Sequence, residues 1–228
     1  MNVLVAVPAC RPMLYRRSYE SVLALRWPSG DQIDTVFLVD GDEASRWENL
    51  LRKLNRARDL GLAGGYDALL TVESDIIVPP DALEKLAAVD ADVVYGLFVL
   101  RFPPYHWNVA TKMRPGGEIH LVSQDREAAK AAWGQVLPCE GHGQGICLIR
   151  RHVLEAIEFR NPHPDLRAQD WYFSFDCQRL GFSQMAHLGV QCGHIDGQTV
   201  LLPDVPIAIT GHEPLFNRLP MLEKGEWR

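Results

Sequence analysis

The chain has 228 residues, enough for one large domain or one domain with an appendage. With 47% hydrophobic and 23% charged residues it has the balance of a globular domain, and a chain this long can bury roughly 70% of its unfolded surface. A net charge of −6 and a pI near 5.7 leave no electrostatic footprint for nucleic acid; Arg11, Arg16, Arg17 and Arg26 form the one basic run, read as a solvated face. The five cysteines, Cys10, Cys139, Cys147, Cys177 and Cys192, are odd in number and contain no C-x-x-C pair. The opening Val3–Val7 run is too short for a signal sequence and is stopped by Pro8, and no stretch approaches the ~20 apolar residues of a membrane helix. A reduced, cytoplasmic protein is expected.

In chain order, Asn2 to Val7 is a short, continuous apolar run of the kind that forms a buried parallel strand. Tyr15 to Leu25 reads as a helix, closed by Pro28-Ser29-Gly30, and Ile33 to Val39 as a second buried strand ending in Asp40-Gly41-Asp42. Ala44, Trp47, Leu50, Leu51, Leu54 and Ala57 recur at spacings of three and four, an amphipathic helix that Gly61, Gly64 and Gly65 should end. Asp67 to Val72 is a third strand, followed by Glu73-Ser74-Asp75, and Pro79-Pro80-Asp81 opens a helix through Ala88. Buried strands alternating with helices predict a mostly parallel central sheet flanked by helices.

Beyond this half, Asp92 to Val99 is another strand, and Trp107 to Lys112 with Ile119 to Ser123 form a hairpin. Arg126 to Trp133 is a short helix, Val136 to Cys139 a short strand, and Gly141 to Gly145 a flexible loop. Ile146 to Ile149 leads into a helix over Arg150 to Ile157. Asp170 to Leu180 is a helix stopped by Gly181, and two short strands, Met185 to Gly189 and Val190 to Cys192, end at Gly193-His194. No linker interrupts residues 1–202, a single domain divided near 98; residues 203–228, proline-rich and without a period, are expected as a loop draped over it or a lid.

Ligands of open α/β sheets sit beyond the carboxyl ends of the strands. Three such ends are chemically marked here: Pro8 to Arg11, Asp40 to Asp42, and Glu73 to Asp75. Acid-x-acid is by itself a common turn pattern, but carboxylates at the end of a buried strand are costly without a partner. Mn²⁺ or Mg²⁺ bound through one or two carboxylates and substrate phosphates is such a partner. His194 is either a structural histidine or the imidazole that completes the site. Asp170 is either a helix cap or a general base set among the aromatics that follow it. The glycines at 141, 143 and 145 match neither a P-loop nor a dinucleotide fingerprint; they allow a flexible turn or a close backbone approach to a ligand. No Gly-x-Ser-x-Gly elbow, His-Glu-x-x-His or paired Cys-x-x-Cys occurs, which disfavours a serine hydrolase or a zinc enzyme.

Taken in order, these pieces resemble the GT-A glycosyltransferases, particularly those of family 2 type. The resemblance runs through Val3–Pro8, Val36–Asp42, Leu54–Arg58, Glu73-Ser74-Asp75 with Pro79–Leu83, Gly143–Arg151, Gln169-Asp170 and Cys192-Gly193-His194. It implies a GT-A, Rossmann-like α/β fold with an antiparallel hairpin on the acceptor side: residues 1–98 bind the nucleotide sugar and 99–202 face the acceptor. It implies that Pro8, Arg11, Asp40, Arg58, Glu73 and Ser74 bind the donor, a UDP- or GDP-sugar, and that Asp75 and His194 hold Mn²⁺ or Mg²⁺. Asp170 would be the base, with His142, Gly143, Gln144 and Trp171 on the acceptor side. Glu73 stands where the family has aspartate, and Gln169 where it often has glutamate. The implied activity is inverting transfer of a sugar to an acceptor hydroxyl: a glycan, a lipid-linked sugar, a small molecule or a modified nucleic-acid base. A sugar-phosphate nucleotidyltransferase and a non-catalytic nucleotide-sugar- or carbohydrate-binding module are the alternatives. The nucleotidyltransferase lacks its glycine-rich loop here, since Pro8-Ala9-Cys10-Arg11 contains no glycine.

Overall fold

The structure is a computed structural model that describes residues 1–9, 15–27, 31–39, 46–114, 118–162, 169–205 and 214–220. Its first half follows the apolar runs: β1 (Val3–Pro8), α1 (Arg16–Leu23), β2 (Ile33–Leu38), α2 (Arg46–Ala63), β3 (Ala68–Val72), β4 (Ile76–Ile77), α3 (Ala82–Ala87) and β5 (Val93–Leu97). The helix expected to end at Gly61, Gly64 and Gly65 includes Gly61 and ends at Ala63. Gly65, at φ +73°, makes the turn that follows. The second half comprises β6 (Val109–Met113), β7 (Ile119–Leu121), α4 (Arg126–Ala132), β8 (Val136–Pro138), β9 (Gly141–His142), β10 (Ile146–Arg150) and α5 (Arg151–Ala156). It ends with α6 (Gln169–Leu180), β11 (Gln184–Gln191), β12 (Gly193–Asp196), β13 (Thr199–Pro203) and β14 (Phe216–Pro220).

Seven strands form the central sheet in the order β2-β1-β3-β10-β5-β11-β8. β2, β1, β3, β5 and β11 run parallel, whereas β10 and β8 are antiparallel to their neighbours. Strand alternation divides the core in two. Leu4, Ala6 and Leu69 face one side, with Leu50 and Leu54 of α2, Leu154 of α5 and Phe173 of α6. Val3, Val5, Val7 and Leu70 face the other, with Val22 of α1 and Leu83 and Leu86 of α3. Covered on both faces, these strands read as unbroken apolar runs rather than as alternation.

Two antiparallel sheets flank this layer: β14-β13-β12-β4, and β7-β6-β9. They revise three sequence expectations. The Gly141–Gly145 stretch is not wholly loop, since Gly141 and His142 pair with Ala110 and Val109. The two short strands expected from Met185 to Cys192 are one, β11, and His194 stands inside a further strand rather than after the last one. The stretch after residue 202 is not simply a draped loop: Phe216–Pro220 pairs along the whole of β13, and the Trp107 indole N–H donates to the Leu215 carbonyl at 2.7 Å. That run carried no period to announce it, because a short edge strand takes its register from its partner.

Candidate functional site

The carboxyl ends of β1, β2, β3, β5 and β11 lie on one edge of the sheet, and the antiparallel β10 brings its amino end there as well. Thus the Gly143–Gly145 segment, which enters β10, meets the Glu73 segment, which leaves β3; the Glu73 N–H donates to the Gly145 carbonyl at 2.9 Å. After Asp75 the chain makes the two-residue strand β4, which pairs with β12 so that Ile76 faces His194 and Ile77 faces Gly193. The Ile195 N–H donates to the Asp75 carbonyl at 2.9 Å. Two segments 119 positions apart in sequence are thereby fixed side by side, and Asp75 and His194, both buried, come together.

His194 is held in one tautomer. Its Nδ1 lies 2.6 Å from the Val99 carbonyl oxygen, which can only accept, so Nδ1 carries the proton and donates. Nε2 is then left with a lone pair; it is buried, has no hydrogen-bond partner among the described residues, and stands 3.9 Å from Asp75 Oδ1. Burial lowers the pKa of His194, against the opposing pull of Asp75. The imidazole therefore stays neutral below the ordinary histidine value, so acid competes with a cation only at lower pH than an exposed histidine would suggest. The other oxygen of Asp75, Oδ2, pairs with Arg101 Nη1 at 2.6 Å.

Phe98 joins this pair to the glycine segment. Its ring stands edge-on to His194, with centroids 5.2 Å apart at 89°. It also fills the space where side chains at 143 and 145 would be: a Cβ on Gly145 would come within 2.6 Å of the ring, and one on Gly143 within 3.0 Å. The close approach that these glycines allow is therefore to Phe98. Asn108 holds the Phe98 backbone, its Oδ1 accepting the Phe98 N–H at 2.9 Å.

On the far side of the glycine segment, Asp170 stands in the first turn of α6. Its carboxyl accepts the backbone N–H of Gln144, yet Oδ1 is buried without a partner among the described residues. Burial outweighs that hydrogen bond and raises the pKa from 3.8 to about 6. The side chain of Gln144 is 3% exposed, and neither its Nε2 nor its Oε1 has a partner among the described residues. Buried polar atoms nearly always find partners. Of the orphaned ones among the described residues, those on His194, Gln144 and Asp170 fall on one edge of the sheet, around the turn that leaves β3; others, on Ser18, Trp27, Arg126, Asn161 and Ser174, lie elsewhere.

Of the other residues expected at the site, Pro8 ends β1, buried at this edge, and Ser74 is buried between Glu73 and Asp75. Next to Pro8, the buried Lys53 of α2 donates from Nζ to the Ala9 carbonyl at 2.6 Å. Trp171, 40% exposed, lies beside Asp170 on α6. Arg11 and Asp40 lie outside the described residues, as does the side chain of His142, although its backbone pairs in β9. Arg58 makes bonds within the fold. Its Nε donates to the carbonyls of Leu154 and Ile157, tying α2 to α5, and its Nη1 pairs with Asp59. Of the aromatic residues near this edge, Trp107 is core, whereas Phe102 is 63% exposed. Sequence reading missed Arg101 and Phe98. The only trace of either in the sequence is that Arg101 opens the proline-rich, aromatic stretch Arg101 to Tyr105.

Among the described residues no group of three or more His, Cys, Asp and Glu side chains is clustered for a metal. Asp75 and His194 form a two-ligand set, which suits a cation that takes its remaining oxygens from a phosphate substrate. A separate cavity of about 410 Å³ is lined by Ile77, Val78, Gly193, Val200 and Leu202. Gly193 and Ile77 project to the opposite face of the small sheet from His194 and Ile76, so this apolar space lies behind the polar cluster. No helix among the described residues is long and apolar enough to cross a membrane.

No family model and no curated protein matches the chain. Among solved structures, the chain is similar to the crystal structure of A197 from STIV, with a TM-score of 0.58 at 18% identity, over 98% of this chain and 96% of that one. At that identity the likeness is one of fold.

Proposed function

We propose that the protein is a metal-dependent glycosyltransferase of GT-A type, moving a sugar from a nucleoside-diphosphate sugar to an acceptor hydroxyl with inversion. One observation carries the reading: a buried imidazole nitrogen, His194 Nε2, without a partner among the described residues, faces the Asp75 carboxylate at 3.9 Å on the ligand-binding edge of a mostly parallel sheet. A lone pair fixed in that tautomer, beside a carboxylate, fits Mn²⁺ or Mg²⁺.

Asp75 and His194 would hold the cation, with Glu73 and Ser74 beside them on the donor side and Pro8 at the neighbouring strand end. When bound, the cation neutralises the charge that develops on the departing nucleoside diphosphate. Asp170 acts from the far side of the Gly143–Gly145 segment. Its carboxylate takes the proton of the acceptor hydroxyl while that oxygen bonds to the anomeric carbon and the bond from that carbon to the diphosphate oxygen breaks. A base with a pKa near 6 is mostly ionised at neutral pH yet keeps a useful proton affinity. The buried amide of Gln144 has both a donor and an acceptor to offer sugar hydroxyls.

Hydrolysis and transfer from a panel of UDP- and GDP-sugars with Mn²⁺ test the reading. Asp75→Asn should lose several kcal/mol of barrier lowering, about 10³-fold in rate, with the fold intact. An Asp75→Asn protein as active as wild type sinks it. Nucleotide-sugar synthesis from a sugar phosphate and a nucleoside triphosphate would instead identify a nucleotidyltransferase.

A further inference from the structure

We propose that Arg101 is a built-in competitor for the cation at Asp75: its guanidinium neutralises the carboxylate until a donor diphosphate draws it away. The inference rests on reading Asp75 and His194 as the cation's ligands.

Arg101 stands on a turn between Leu100 and His106, closed by the Leu100 N–H donating to the His106 carbonyl at 2.8 Å. From there Nη1 reaches Asp75 Oδ2 at 2.6 Å and donates to the Ile195 carbonyl at 3.4 Å. The Asp75 carboxylate is thus divided, with Arg101 on one oxygen and the His194 lone pair facing the other at 3.9 Å. A divalent cation entering between Asp75 and His194 meets a positive charge already in contact with its main ligand. Like charges that close, in a site shielded from water, repel strongly. Full engagement of Asp75 by the cation therefore requires the guanidinium to leave.

The structure also supplies a destination. The Arg101 side chain is 27% exposed, whereas that of Asp75 is 11% exposed, so Arg101 is the partner more open to an anion arriving from solvent. Its planar fork of donors matches phosphate oxygens. A diphosphate that takes Arg101 frees Asp75 for the cation, and the cation in turn holds the diphosphate. The two ligands then bind with positive coupling, which is reciprocal by thermodynamic necessity. The turn has its own support for such a move. Tyr105 packs on Phe216 of β14 with centroids 5.3 Å apart, and Arg218 lies over the Tyr105 ring at 5.2 Å, so its far end stays anchored.

The test is Mn²⁺ affinity, read from the electron paramagnetic resonance signal of free Mn²⁺, without nucleotide and with UDP or GDP. Arg101→Gln should bind Mn²⁺ alone about ten-fold more tightly than wild type and lose most of the tightening that the diphosphate produces. Arg101→Lys, which keeps the charge, should bind Mn²⁺ alone as wild type does. If Asp75→Asn abolishes binding but Arg101→Gln binds Mn²⁺ no better than wild type, the competitor role is overturned and the cation site stands. If Arg101→Lys tightens binding as much as Arg101→Gln, packing rather than charge is responsible and the proposal falls. If Asp75→Asn binds Mn²⁺ as wild type does, the cation reading falls and this inference with it.

Discussion

Asp170 shows how far a single residue can be read. An aspartate opening an aromatic helix is visible in the sequence. That its carboxyl is stripped of water, left with an orphaned Oδ1 and held at a pKa of about 6, is not. The consequence has a definite sign. Well below pH 3.8 the group is protonated in both the folded and unfolded chains and costs nothing. As pH rises from about 4 to 6 the unfolded chain loses its proton while the folded chain keeps it, so stability is lost across that window and levels off above it. Asp170→Asn should therefore stabilise the protein at pH 7.5 by about 2–3 kcal/mol, with most of the gain gone at about pH 4, in denaturant titrations at the two pH values. The same substitution should cost transfer on the order of 10²–10⁴-fold, and the wild-type rate should rise through pH 6. His194 was equally visible as a letter, but its tautomer depends on a carbonyl 95 residues away at Val99.

Among elements, β4 and β5 set the site's geometry. β4 is only two residues long, and its pairing with β12 brings Asp75 to His194. No sequence pattern marks so short a strand. Phe98, just past β5, is a wedge between His194 and the glycine segment. Gly145→Ala would push a methyl to within 2.6 Å of that ring and 3.2 Å of Ile76, both packed from behind. Overpacking of this kind typically costs about 1–3 kcal/mol. The variant should show that loss in thermal unfolding and, because the ring also contacts His194, weaker Mn²⁺ binding; unchanged values for both would show that the ring gives way freely. The buried strands β1, β3 and β5 were legible because both faces are covered. The antiparallel run of β10 inside an otherwise parallel neighbourhood was not, since an apolar strand reads the same in either direction.

For the whole molecule, the site lies where segments from residue 8 to residue 194 converge, so a ligand there ties much of the chain together. A nucleoside diphosphate with Mn²⁺ at a hundred times its dissociation constant should stabilise the fold by about 2.7 kcal/mol. At about 2–4 °C per kcal/mol for a domain of this size, the melting temperature should rise by roughly 5–10 °C. Neither Mn²⁺ nor the nucleotide alone should give the full shift, and a screen with no shift from any nucleotide would argue against a nucleotide site.

By itself the sequence determined the alternation of buried strands and helices, and with it the edge where ligands belong, because hydrophobic periodicity is a local property that survives without partners. It also marked Asp75 as a carboxylate at the end of a buried strand, and left His194 and Asp170 each with a structural and a functional reading. Only the tertiary structure decided which of the marked residues meet. It joined Asp75 to His194 through β4 and β12, tied Arg58 to helix carbonyls, made Phe98 the wedge and set Arg101 on the carboxylate. Those outcomes depend on strand order, register and burial between distant segments, and neither composition nor spacing along the chain encodes them locally.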